Sequence, residues 1–309
     1  LNAKKPLKNG FSGTGFKGLV VKTRFVKMEK LIRECSREIK DMAGRDVRVL
    51  YEDDAVRIGH EAGLSIYQIY LDCLKNGIYP YRYIRNRQII SQKEQLTLAE
   101  SRVAVVGVGG LGGQVILLLG RVGIGHLLVV DRDAFDETNL NRQALSSKDS
   151  LGKPKVQSAV RALEKINPAV NVTGYEIILD ESNARAILAG SHVLVDALDN
   201  VADRLVLEKT AKDLKIPMVH GALAGFQGQV MTIFPEDEGL SRIYGNGATS
   251  PDPRERPEAV LGVPALTASF IANLEAMEVI KILLNRGRLF RNMMLFVDLE
   301  DGELNQFAF

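Results

Sequence analysis

The chain has 309 residues, 46% hydrophobic and 25% charged, with 40 Lys and Arg against 38 Asp and Glu, a balance of globular proteins that excludes a disordered chain. Its net charge of +2 is uneven: residues 1–27 hold seven basic residues and no acid, so residues 28–309 carry −5. That argues against a general nucleic-acid binder, which needs clustered Lys and Arg to neutralise phosphates.

In chain order, residues 1–27 read as a basic leader or extension ending just before Met28, the first methionine. Residues 28–80 read as a helical N-terminal region. Ile32, Cys35 and Ile39 fall on one face of a helix that ends near Gly44, and Val56 and Ile58 mark a second helix before Gly63. Ser65 caps a third, which carries Ile66, Ile69, Tyr70, Cys73 and Leu74 and closes at Gly77. The Ala62–Ser65 turn resembles that of a helix-turn-helix. The helix after it offers only Gln68 and Lys75 to DNA and carries Asp72, so a packed helical hairpin is the better reading.

Residues 81–309 read as the main domain. Predicted strands at 103–106, 127–130, 170–179, 192–198 and 218–222 alternate with predicted helices at 112–122, 154–166, 183–188 and 202–214. This rhythm predicts an α/β fold, a doubly wound, largely parallel Rossmann-like sheet covered on both faces. Residues 230–234 predict an antiparallel addition, 235–263 a long loop, 264–284 a helix and 294–307 a closing hairpin, together an antiparallel C-terminal extension. The uncharged run Val103–Gly120 contains six glycines and is closed by Arg121; this suits a strand-to-helix turn, and no membrane span is expected.

Gly107-Val108-Gly109-Gly110-Leu111-Gly112 fits G-x-G-x-x-G between a strand and a helix. There the missing Cβ atoms let backbone N–H groups approach a phosphate at the positive end of the helix. Alone the motif is weak. Asp131 strengthens it, standing 19 residues beyond Gly112 at the end of the next strand, where a carboxylate can accept from ribose hydroxyls.

Three motifs downstream of Asp131 select the chemistry: Asn139-Leu140-Asn141-Arg142-Gln143, Gly152-Lys153-Pro154-Lys155 and Asp196-Ala197-Leu198-Asp199-Asn200. With these motifs, residues 82 to about 300 resemble the ubiquitin-activating-type adenylyltransferases of the MoeB/ThiF/HesA family, which activate small ubiquitin-like sulfur-carrier proteins. The resemblance implies ATP and Mg²⁺ as cofactors. It places Gly107, Gly109, Gly110 and Gly112 on the nucleotide, Asp131 on the ribose, Asn139 in the same ATP site, Arg142 and Lys155 on the phosphates, and Asp199 on Mg²⁺. Arg87-Gln88-Ile89-Ile90 resembles the family's entry motif, which implies a homodimer with Arg87 reaching the partner subunit's phosphates. The carrier is expected to end in Gly-Gly. Taken singly, each charge could be a solvated surface group, and Asp199-Asn200 a helix cap.

The sequence also departs from the family. Its only cysteines are Cys35 and Cys73, too few for a disulfide framework or for the paired CxxC motifs that hold zinc in many relatives, so no zinc is expected and a reducing cytoplasm is the expected location. The absent loop cysteine argues against a covalent thiol handoff but leaves adenylylation intact, since the carrier's own carboxylate is the nucleophile. The loop 237–262, with Arg242, Arg254 and Arg256, is expected to cover the carrier tail, and Gly221, Gly225 and Gly228 would either admit that tail or serve a turn. The competing readings are a relative acting on another carboxyl or amide, such as a tRNA base or peptide, an NAD-dependent dehydrogenase, and a DNA-binding regulator.

Overall fold

The computed structural model describes residues 28–245 and 254–309; the basic stretch 1–27 and part of the expected 235–263 loop lie outside them. The chain divides into two compact units between Arg85 and Asn86.

The first unit is not wholly helical. Helix α1 (28–35) stops at Cys35 and the chain turns into a hairpin of β1 (Arg37–Lys40) and β2 (Asp46–Leu50). Ile39 therefore belongs to a strand and does not continue the Ile32–Cys35 helical face. Opposite charges stand across this hairpin: Lys40 faces Asp46 at 2.9 Å and Glu38 faces Arg48 at 3.2 Å, pairings that stabilise antiparallel neighbours. Asp41 shapes the turn by accepting from the backbone N–H groups of Ala43 and Arg45. Helices α2 (Glu52–Ala62) and α3 (Ile66–Lys75) come next, the second opened by a Ser65–Gln68 capping box. Strand β3 (Tyr79–Pro80) pairs in parallel with β2 and completes a three-stranded sheet.

The second unit opens with α4 (Gln92–Glu100), capped by Ser91 and Glu94. Then come β4 (Arg102–Val106), α5 (Gly110–Val122), β5 (His126–Val130), α6 (Lys155–Ile166), β6 (Asn171–Tyr175), α7 (Ala184–Leu188), β7 (Val193–Asp196), α8 (Val201–Leu214), β8 (Met218–Ala224) and β9 (Gln227–Ile233). Short helices α9 (Ser241–Tyr244) and α10 (Pro257–Leu261) lie in the expected loop, and α11 (Ala265–Leu284), β10 (Met293–Asp298) and β11 (Glu303–Ala308) complete the chain. One sheet in the order β11-β10-β9-β8-β7-β4-β5-β6 holds these eight strands; β8 to β6 run parallel and β9, β10 and β11 are antiparallel.

The alternation of side chains along β4 feeds two cores. Val103 and Val105 pack with α5, α6 and α11, whereas Ala104 and Val106 pack with α7 and α8, which makes the sheet doubly wound. The strand expected over 170–179 stops at Tyr175, and a loop carries the chain to α7. From β4 the chain moves to β5 and β6, then crosses to β7 on the other side of β4. That reversal opens a crevice at the carboxyl ends of β4 and β7, where such sheets bind ligands. No helix of the described residues is long and apolar enough to cross a membrane.

Candidate functional site

The crevice holds a cavity of about 560 Å³. On one side lies the glycine turn. Gly107 has φ +96°, and a Cβ there would meet the Ala197 carbonyl oxygen at 2.4 Å, so the turn after β4 closes tightly on the end of β7 only because this residue is glycine. A Cβ on Gly112 would lie 1.8 Å from the Gly107 oxygen; this glycine lets the first turn of α5 pack on the strand end, while Gly107, Gly109 and Gly110 line the cavity.

Asp131 also lines the cavity, at the end of β5. Its Oδ2 accepts from Val108 N at 2.7 Å and its Oδ1 from Asp133 N at 2.8 Å, so it braces the glycine turn as well as facing the ligand space. Burial raises its pKa, against the opposing pull of these N–H groups and the Lys155 charge.

The expected cations gather here. Lys155, the first residue of α6, is 7% exposed, and its Nζ lies 3.2 Å from Asp133 Oδ2 at the cavity wall. Arg142 lines the same cavity, its Nη1 donating to the Thr138 carbonyl and Asn141 Oδ1. Asn139 is buried behind this wall; its Oδ1 accepts from Asp136 N and closes the 3₁₀ turn that presents Arg142. Asp199 is exposed at the cavity edge. The helix-capping role falls on Asn200, whose Oδ1 accepts from Asp203 N at 2.9 Å; the Asp199 carboxylate does not cap α8, and its Oδ1 accepts only a long contact from Asn200 Nδ2 at 3.4 Å. Among the described residues no group of three His, Cys, Asp or Glu side chains could hold a metal unaided.

Arg87 lies half-buried in the turn before α4 and does not line the cavity of its own chain. Arg256, at the N-terminus of α10, does line it, whereas Arg242 pairs with Glu238. Gly221 and Gly228 have a packing role: a Cβ on them would strike Glu275 Cδ at 2.4 Å and Ile271 Cδ1 at 2.5 Å, both on α11. Gly225, at φ +57°, makes the β8–β9 turn.

Sequence reasoning missed a polar network beneath the cavity floor. Asp196 and His220 are both fully buried, with Asp196 Oδ2 2.8 Å from His220 Nδ1. Arg204, from α8, places Nε 3.7 Å from the same oxygen and donates to the Leu198 carbonyl at 2.6 Å and to Tyr244 Oη at 2.5 Å. His220 Nε2 lies 3.3 Å from Nε2 of Gln229, a residue of the cavity wall. Burial lowers the His220 pKa, keeping the ring neutral. Asp196 opens a motif that the sequence did reveal, but a histidine inside a strand and a lone strand glutamine carry no sequence signal of their pairing.

The ThiF family model matches residues 83–308. The chain belongs to the ThiF family. It is 37% identical over 213 residues to the SAMP-activating enzyme E1 of Haloferax volcanii, covering 69% of this chain and 78% of that one. To the molybdopterin-synthase adenylyltransferase of Escherichia coli K12 it is 38% identical over 213 residues, covering 66% and 82%. The crystal structure of E. coli MccB shares the fold, with a TM-score of 0.63 at 21% identity over 74% of this chain and 69% of that one. This ThiF-family chain is thus an adenylyltransferase.

Proposed function

We propose that the protein adenylylates the C-terminal glycine carboxylate of a small ubiquitin-like sulfur-carrier protein in the cytoplasm, with ATP as donor and pyrophosphate as product. The observation that carries this reading is the convergence of Lys155, Arg142 and Asp199 on the cavity that the Gly107–Gly112 turn opens. A carboxylate oxygen of the carrier attacks the α-phosphorus, a new P–O bond forms, and the bond to the pyrophosphate oxygen breaks. Two anions must meet for this to happen, so fixed positive charge is the main requirement. Lys155 supplies it from a water-poor position where a charge acts strongly. Arg142 supplies a planar fork suited to phosphate oxygens. Backbone N–H groups at the start of α5 face the phosphates, and Asp131 faces the ribose.

Asp199 fits Mg²⁺, which commonly takes one or two carboxylates and completes its shell with phosphate oxygens and water; when bound, the ion compensates the charge of the leaving pyrophosphate. The activated carrier leaves as an acyl-adenylate, because no step requires a thiol of the enzyme. The similarity to the SAMP-activating enzyme and to the molybdopterin-synthase adenylyltransferase supports a carrier as substrate. In this reading the enzyme is a homodimer in which Arg87, which does not line the cavity of its own chain, completes the partner subunit's site. ATP–pyrophosphate exchange tests the reading: it should appear only with a Gly-Gly-ended carrier encoded by the same genome, and its absence with every such carrier overturns the proposal.

A further inference from the structure

Three cavity residues share one row across the antiparallel strands: Ala222 of β8 pairs with Gln229 of β9, which pairs with Phe296 of β10. His220 lies two residues before Ala222 and so points to the same face of the sheet. The Asp196 carboxylate accepts on both oxygens, Oδ1 from Leu198 N at 3.1 Å and Oδ2 beside His220 Nδ1 and the Arg204 guanidinium. A neutral imidazole between such an acceptor and Gln229 carries its proton on Nδ1 and leaves Nε2 as a lone pair. The Gln229 amide then meets Nε2 with its NH₂ group, at 3.3 Å. This fixes the amide against rotation, with Oε1 as the acceptor left for the cavity.

We propose that Gln229 is a substrate-positioning residue whose Oε1 accepts a backbone N–H of the polypeptide tail, held in that orientation by His220 and Asp196. The inference rests on the adenylylation reading and names a specificity contact within it. An N–H donor at this place distinguishes a peptide tail from a simple carboxylic acid. The same Asp196 carboxylate also receives the backbone of Leu198, next to Asp199, so the tail contact and the Asp199 segment share one anchor.

The test uses the full-length enzyme in ATP–pyrophosphate exchange with a Gly-Gly-ended carrier, and direct titration with ATP alone. Gln229→Leu should raise the carrier KM about tenfold, the effect of one lost hydrogen bond, with kcat changed less than about threefold and ATP affinity within about twofold of the parent. Semisynthetic carriers N-methylated at either of the last two glycines keep the enzyme intact. Wild type should lose about tenfold in KM for one of them, and Gln229→Leu should not distinguish that carrier from the unmethylated one. An unchanged carrier KM in Gln229→Leu, a parallel loss of ATP affinity, or full additivity of the two changes would overturn the inference while leaving adenylylation standing. Absence of exchange by wild type with every carrier would overturn both.

Discussion

Lys155 Nζ lies 3.2 Å from Asp133 Oδ2, and the Lys155 backbone N–H donates to the Asp133 carbonyl at 2.9 Å. The lysine is thus fixed at both ends by one residue of the β5 loop, at a side-chain exposure of 9%. An ammonium held this way is already in place before ATP arrives, which is the condition under which fixed charge accelerates phosphoryl chemistry most. Lys155→Met keeps the aliphatic stem and removes the charge. It should lower kcat for exchange by about 10²–10³, with a Tm close to the parent's; a loss below tenfold would remove Lys155 from the phosphates.

Asp199 and Asn200 are neighbours with separable roles. Asn200→Ala removes the α8 cap and should cost about 1 kcal/mol of stability, read as a lower denaturation midpoint, with residual exchange activity. Asp199→Ala should do the reverse, abolishing exchange while the denaturation midpoint stays near the parent's, because the side chain is exposed and the cap is intact. Normal exchange by Asp199→Ala would show the Mg²⁺ assignment to be wrong.

Glu275 predicts a pH dependence of stability. Its carboxyl is fully buried on α11 with neither oxygen hydrogen-bonded, and burial together with the nearby Asp196 charge raises its pKa well above the usual carboxylate value. The folded state therefore holds this proton more tightly than the unfolded state, so its contribution to stability is full below the unfolded pKa of about 4.3 and is lost as pH rises towards the folded pKa. Glu275→Gln, which cannot ionise, should show a flatter Tm-against-pH profile above pH 4.5 and a higher Tm relative to the parent as pH rises to 7. Parallel profiles for the two proteins would place the charge elsewhere.

Arg87 gives a prediction that depends on the dimer. If it completes the partner subunit's site, Arg87→Ala and Lys155→Met homodimers are both inactive, but subunit exchange between them creates a mixed dimer with one intact site. An equimolar mixture should recover about a quarter of wild-type activity, since half the dimers are mixed and each restores one site of two. No recovery after verified subunit exchange would confine Arg87 to its own chain.

The parallel half of the fold was legible because its buried strands are short apolar runs separated by helical periodicity; Gly107 and Asp131 stand where strands β4 and β5 end, whereas Arg142, Lys155 and Asp199 were expected at the site from the family resemblance. The hairpin Arg37–Leu50 was not. Ile32, Cys35 and Ile39 mimic a helical spacing, and the strand is specified by charges across the turn, Lys40 with Asp46 and Glu38 with Arg48, which local periodicity does not register. Asn139 was expected in the ATP site from the resemblance; in the structure its side chain shapes the turn beneath Arg142. The Asp196–His220–Gln229 chain stayed hidden because its partners are joined by strand register, the first two standing 24 positions apart.

The central claim is that a carrier's C-terminal carboxylate is joined to AMP in this crevice. Intact-mass analysis of Gly-Gly-ended carriers from the same genome, incubated with the enzyme, ATP and Mg²⁺ and trapped with hydroxylamine, tests it most directly. One carrier should gain an adenylyl group that hydroxylamine converts to the C-terminal hydroxamate, and deletion of its last glycine should prevent both products. Unchanged mass for every carrier, with ATP consumed or not, would contradict the account.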